Sequence, residues 1–275
     1  MASTSAITSS SAPGAAATST RIADRFVELK AAGRRALVPY ITAGHPDVEG
    51  TLALMRGLES AGADVIELGL PFSDPMADGP VIQASSQRAL EQGMDFDRAL
   101  DLVRRAKLSI PIVLFSYLNP LLSAGGDALR RAADAGVHGV LVTDLPVGAD
   151  PEREAWLGDG PLAFIRLVAP TTPQERMREI ARHGSGFVYL ISRLGVTGAR
   201  DDVPADLPET LARLRAVTAL PLCVGFGVSR PAQATAIARL ADGVVVGSAI
   251  VRAAGESVDR AVDLARSLRA AIDAA

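Results

Sequence analysis

The sequence predicts a single α/β domain, a (β/α)8 TIM barrel. From Arg21 onward, eight short apolar runs lie near residues 37, 65, 112, 140, 164, 188, 222 and 244, each followed by a segment of helical length. The runs are continuously aliphatic rather than alternating, as strands of a parallel sheet covered on its outer face are. Eight such units in about 255 residues match the size of a closed barrel. An open doubly wound sheet is the alternative, and the absence of any Gly-x-Gly-x-x-Gly after the first run disfavours it.

Residues 1–20 are Ser, Thr, Ala, Pro and Gly with few exceptions and no charged side chain. They read as a disordered tail, without the apolar region of a secretory signal. The catalytic domain is expected over 21–275, opening with an extra helix that carries Ile22, Phe26 and Leu29 on one face. Ala36 to Ile41 is the first strand, and 47–60 the helix after it. The second strand starts at Asp64. A helix over 96–107 precedes the strand Ile110 to Ser116, and one over 127–135 precedes Gly139 to Val142. Leu162 to Val168 leads into a helix over 173–183. Phe187 to Ile191, Leu220 to Val224 and Gly243 to Val246 complete the barrel, with helices over 207–217, 230–240 and 256–274.

Composition excludes several classes of function. The net charge of −3 comes from 28 basic and 31 acidic residues. They are intermixed, so nothing draws the chain to nucleic acid or anionic lipid. The longest uncharged apolar stretch, Gly243 to Val251, is far below the roughly 18 residues that span a bilayer. The one cysteine, Cys223, has no disulfide partner and suits the reducing cytoplasm.

Glu67 is the first candidate for chemistry. It lies among Val65, Ile66 and Leu68, where an ionised carboxylate is costly to bury. It therefore needs a partner or a raised pKa, and a raised pKa is what an acid or base working near neutrality requires. The loop over 69–83 is stiffened by Pro71, Pro75 and Pro80 and carries Asp74 and Asp78 with no basic residue to balance them. A second long connection over 192–206 has Gly195 and Gly198 as hinges for a lid. Polar residues gather where the strands end: Tyr40, Thr42, Ser116, Tyr117, Asn119, Asp144, Arg166, Tyr189 and Ser192. In a barrel that end is the active-site face.

Gly225-Phe-Gly-Val-Ser229 and Val246-Gly-Ser-Ala249 follow the last two strands. Glycine turns there let backbone N–H groups approach an anion, the usual place for a phosphate in this fold. Lys30 and Lys107 are the only lysines, and both fall on predicted helices, so no Schiff-base nucleophile is available. His45, His138 and His183 have no metal-ligand spacing, and no metal is expected. Cleavage of a carbon–carbon bond then requires a leaving carbon that a carboxylic acid can protonate directly.

The stretch Glu67-Leu-Gly-Leu-Pro-Phe-Ser-Asp-Pro-Met-Ala-Asp-Gly-Pro-Val-Ile-Gln83 closely resembles the signature of the tryptophan synthase alpha subunit family. The likeness continues over residues 22–270, through Pro39-Tyr-Ile-Thr-Ala-Gly-His-Pro-Asp47, Tyr117-Leu-Asn-Pro120, Gly139-Val-Leu-Val-Thr-Asp-Leu-Pro146 and Ala169-Pro-Thr-Thr172. The resemblance implies a lyase of L-tryptophan biosynthesis that splits indole-3-glycerol phosphate into indole and glyceraldehyde 3-phosphate. Glu67 would be the catalytic acid and base, and Asp78 the carboxylate that meets the indole nitrogen. Tyr117 and Tyr189 would line the indole pocket, with Asp144 near the acids. Thr197 would contact Asp78 on lid closure, and Gly198, Phe226, Gly227, Gly247 and Ser248 would hold the phosphate. The chain itself would carry no cofactor. Its partner would be a beta subunit containing pyridoxal phosphate (PLP), in an alpha2-beta2 heterotetramer. A stand-alone lyase and a non-catalytic phosphate-binding regulator remain as alternatives. Leu194 occupies a lid position that is more often small or polar in the family.

Overall fold

The computed structural model describes residues 15–191, 204–225 and 227–275, with side chains from residue 20. In chain order the elements are α1 (Ala15–Ala31), β1 (Ala36–Thr42), α2 (Val48–Ser60), β2 (Ile66–Gly69), α3 (Pro80–Glu91), α4 (Phe96–Ala106), β3 (Ile112–Ser116), α5 (Leu118–Ser123), α6 (Ala128–Ala135), β4 (Gly139–Val142), α7 (Pro151–Gly158), β5 (Ala163–Val168), α8 (Gln174–Arg182), β6 (Val188–Ile191), α9 (Leu207–Arg215), β7 (Leu222–Gly225), α10 (Pro231–Ala238), β8 (Gly243–Val246), α11 (Ser248–Glu256) and α12 (Val258–Asp273). The eight strands close into a parallel barrel in sequence order. β8 returns to β1 with Ala36 opposite Gly243 and Pro39 opposite Val246.

Side chains alternate across each strand, and the two resulting sets are spatially distinct. Ala36, Val38, Val65, Val113, Leu141, Ile165, Phe187 and Val245 point into the barrel, where Ile22, Phe26 and Leu29 of α1 pack against the same cluster. Phe26 meets Phe187 with ring centroids 5.7 Å apart. The apolar face of α1 thus plugs the end where the strands begin. Leu37, Ile41, Ile66, Leu68 and Leu114 point outward into the larger core shared with the surrounding helices.

Helix starts follow local chemistry. Asp47, Asp95, Asp150 and Ser257 each accept a backbone N–H of the first turn. Four differences from the sequence reading concern helices. α1 begins at Ala15 rather than Arg21. α3 takes over the chain at Pro80, because proline at a first helical position presets the backbone. The short helices α5 and α7 had no periodicity long enough to reveal them. A further helix, α11, precedes the terminal one and is separated from it where Ser257 turns extended and caps α12.

Candidate active site

Glu67 lies two residues beyond Val65 on β2 and so faces the barrel interior. It pairs in register with Tyr40 of β1 and Val113 of β3. Its side chain is completely buried. Among the described residues neither carboxyl oxygen has a hydrogen-bond partner. Burial alone pushes its pKa up to about 8. At neutral pH Glu67 is therefore a carboxylic acid, able to donate a proton.

The walls around it are aromatic. Tyr40 and Tyr189 are both buried, and burial raises both phenols above their ordinary range, with Glu67 adding to the effect. Tyr40 packs edge-on against Phe115, with centroids 5.2 Å apart. Each tyrosine lies across a glycine of the next strand. A Cβ on Gly69 would stand 2.0 Å from the Tyr40 hydroxyl, and one on Gly225 would stand 2.3 Å from that of Tyr189. Only glycine leaves room for these rings. Ile82 and Phe115 line the same cavity, and the sequence reading missed both. For Phe115 the signal was available, since it lies two residues beyond the inward-facing Val113.

Asp78 lies on the loop between β2 and α3, next to Gly79, which lines this cavity. The Tyr117 hydroxyl donates to its Oδ2 at 3.0 Å and accepts from Ala77 N at 2.9 Å. Burial pushes the Asp78 pKa up to about 6, and the Tyr117 hydrogen bond works against that rise. Charge on Asp78 and on Glu67 is felt at the same phenol, Tyr40. The two acids thus belong to one site and differ in environment, Glu67 being sealed and Asp78 half-buried.

Gly227, Gly247 and Ser248 face Glu67 across the cavity. Gly227 has φ +83°, a backbone conformation that glycine adopts freely. Gly247 caps α11, whose first N–H groups have no capping side chain, so the helix start presents donors and a partial positive charge. Thr197, Gly198 and Phe226 lie outside the described residues. Asp144 is exposed at the rim, where its Oδ1 accepts the Leu118 N–H at 2.7 Å and fixes the start of α5.

Two of the polar strand-end residues do not belong to the site. Ser116 faces the helix layer and donates to the Tyr117 carbonyl at 2.7 Å. Arg166 also points outward. It donates to Glu154 at 2.9 Å, to the Leu145 carbonyl and to the His183 carbonyl, with its guanidinium 3.8 Å from the Phe164 ring centroid. The alternation that turns Ile165 inward turns Arg166 away. The cleft beside Arg166, between α7 and α8, has a volume of about 480 Å³, against about 60 Å³ for the Glu67 cavity. Volume does not mark the site; the unpaired carboxylic acid does.

A closed barrel that holds a protonated acid at the carboxyl ends of its strands, opposite a glycine-lined helix start, defines an enzyme of the acid–base barrel class. Among known proteins, the family model described as tryptophan synthase alpha chain matches residues 26–274. The chain belongs to that family. A tryptophan synthase alpha chain from Desulfatibacillum aliphaticivorans is 48% identical over 242 residues, covering 86% of this chain and 91% of the relative. One from Caulobacter sp. (strain K31) is 49% identical over 239 residues, covering 85% and 86%. Among solved structures, Mycobacterium tuberculosis tryptophan synthase superposes with a TM-score of 0.84 at 38% identity, covering 92% of this chain and 98% of that one. The alpha subunit from Legionella pneumophila gives 0.84 at 37%, covering 93% and 99%.

Proposed function

We propose that Glu67 and Asp78 carry the family's lyase reaction, cleavage of indole-3-glycerol phosphate in tryptophan biosynthesis. Protonated Glu67 delivers its proton to C3 of the indole ring. Asp78, ionised, stabilises the positive charge that this step places on the ring N–H. The Glu67 carboxylate left behind then takes the proton of the glycerol hydroxyl as the carbon–carbon bond breaks. Indole and glyceraldehyde 3-phosphate form, and Glu67 recovers its proton. Tyr117 orients Asp78, Tyr189 walls the ring, and Asp144 supports the rim. The phosphate sits on the backbone of Gly227, Gly247 and Ser248, completed by Gly198 and Phe226, with Thr197 closing onto Asp78.

The observation that carries this reading is the buried Glu67 carboxyl without a partner, on the face where barrel enzymes react. The chain docks to a PLP-containing beta subunit that consumes the indole, as an alpha2-beta2 assembly in the cytoplasm. Among the described residues no helix is long and apolar enough to cross a membrane. The test is indole release by the purified chain, alone and with beta subunit, for the wild type and Glu67→Gln. Loss of turnover in the variant supports the acid–base role, and unchanged turnover overturns it. Full activity without enhancement by beta subunit would identify a stand-alone lyase.

A further inference from the structure

The loop that carries Asp78 is held at one point by the Tyr117 hydroxyl and runs directly into α3, so the placement of α3 also bears on the position of that acid. A buried hydroxyl pair joins α3 to the barrel. Thr42 Oγ1, at the end of β1, lies 2.7 Å from Ser85 Oγ on α3. These residues are 1% and 2% exposed. Ser85 spends its only hydrogen on the Ile82 carbonyl, at 2.8 Å. With that hydrogen committed, the Ser85 oxygen is free to accept from Thr42.

The geometry places this pair next to the reacting groups. Thr42 is the register partner of Gly69, the residue under the Tyr40 hydroxyl. Ser85 lies one helical turn beyond Ile82, whose side chain lines the Glu67 cavity. At its other end α3 starts at Pro80, immediately after Asp78-Gly79, with no side-chain cap on its first turn. The hydrogen bonds that the Gln83 side chain makes to the Asp78 and Pro75 carbonyls are exposed and stay within the loop and α3. They shape the loop without fixing it to the barrel.

We propose that Thr42 and Ser85 are positioning residues: their hydrogen bond pins α3 to β1 and holds Asp78 at its working height over Glu67. The inference rests on the acid–base reading above, which Glu67→Gln tests independently. A positioning role predicts a loss in turnover larger than any loss in substrate binding, because the phosphate cradle is formed by β7, β8 and α11, against which α3 packs through Ile82 and Val251 without forming part of the cradle.

Three variants test it by steady-state indole release, with thermal unfolding to verify folding. Thr42→Val keeps the shape and removes the donor, and Ser85→Ala removes the acceptor. Each is expected to lower kcat about fivefold, the equivalent of one buried hydrogen bond, with a smaller change in KM. The double variant is expected to lose no more than either single one, because both remove the same link. Thr42→Ser is expected to restore kcat. If Thr42→Val and Ser85→Ala keep wild-type kcat, or if their losses add in the double variant, or if Thr42→Ser fails to restore turnover in a folded protein, the positioning role is wrong. Those outcomes leave wild-type activity and its loss in Glu67→Gln untouched, so they do not bear on the acid–base reading.

Discussion

Asp64 and Glu67 are three residues apart along one stretch of chain, Asp64 two residues before β2 and Glu67 within it, and both are fully buried. Asp64 has every need met. Its Oδ1 accepts from Arg25 at 2.6 Å, and its Oδ2 accepts from Leu37 N at 2.8 Å and from Arg269 at 2.9 Å. That network ties α1, β1, β2 and α12 together. Glu67, towards the other end, has none of this and is left as a neutral acid. The contrast shows a division of labour along the strands. Polar groups where they start are satisfied and hold the fold, and the group where they end is left unsatisfied and available for reaction.

The comparison can be broken or sharpened by experiment. The largest effect is expected from Glu67→Gln, which should lower indole release by about 10²- to 10⁴-fold, the usual contribution of a positioned proton donor. It should not destabilise the protein in urea unfolding, since no partner is lost. Asp64→Ala should do the reverse. It removes the buried carboxylate shared by Arg25 and Arg269, which keep Glu28 and Asp273 as partners, and should cost about 3 kcal/mol of unfolding free energy, with kcat of the folded fraction unchanged. A stable but inactive Asp64 variant would erase the division of labour.

Next in size is the pH dependence. Turnover requires Asp78 ionised and Glu67 protonated, so kcat/KM, which follows the free enzyme, should rise through about pH 6 and fall through about pH 8. Stability should carry the same signature. An acid whose pKa is raised on folding holds its proton more tightly in the native state. Its contribution is complete below 4.5 and is lost as pH rises through about 8. The difference in unfolding free energy between wild type and Glu67→Gln should therefore decline across that window, and a flat difference would mean that Glu67 is ionised in the folded protein. The smallest effect is expected from Tyr117→Phe. Losing the hydrogen bond that opposes the rise at Asp78 should move the acidic limb above pH 6, and it should cost about 1 kcal/mol of stability.

Much of this was legible before any coordinates. Strands of four to seven residues, mostly aliphatic, could be counted and ordered, and the two glycine turns fell in register with the last two strands. Glu67 stood out because one acid among aliphatics has few structural uses. Helices α5 and α7, of six and eight residues, were too short to establish a period. Arg166 was misplaced because its position near a strand end says nothing about which face it takes, and a shift of one residue reverses the face. Ile82 could not be read as a cavity wall while residues 80–83 were read as loop.

The sequence by itself determined the alternation of strands and helices and the presence of acids in and around one apolar strand, because hydrophobic periodicity and the cost of burying charge act locally. Only the tertiary structure decided which acid is paired. The guanidinium groups that satisfy Asp64 come from 39 and 205 residues away along the chain. Whether a buried carboxyl is a strut or a proton donor depends on what the fold brings to it, and for Glu67 the described residues bring aromatic walls and no hydrogen-bond donor.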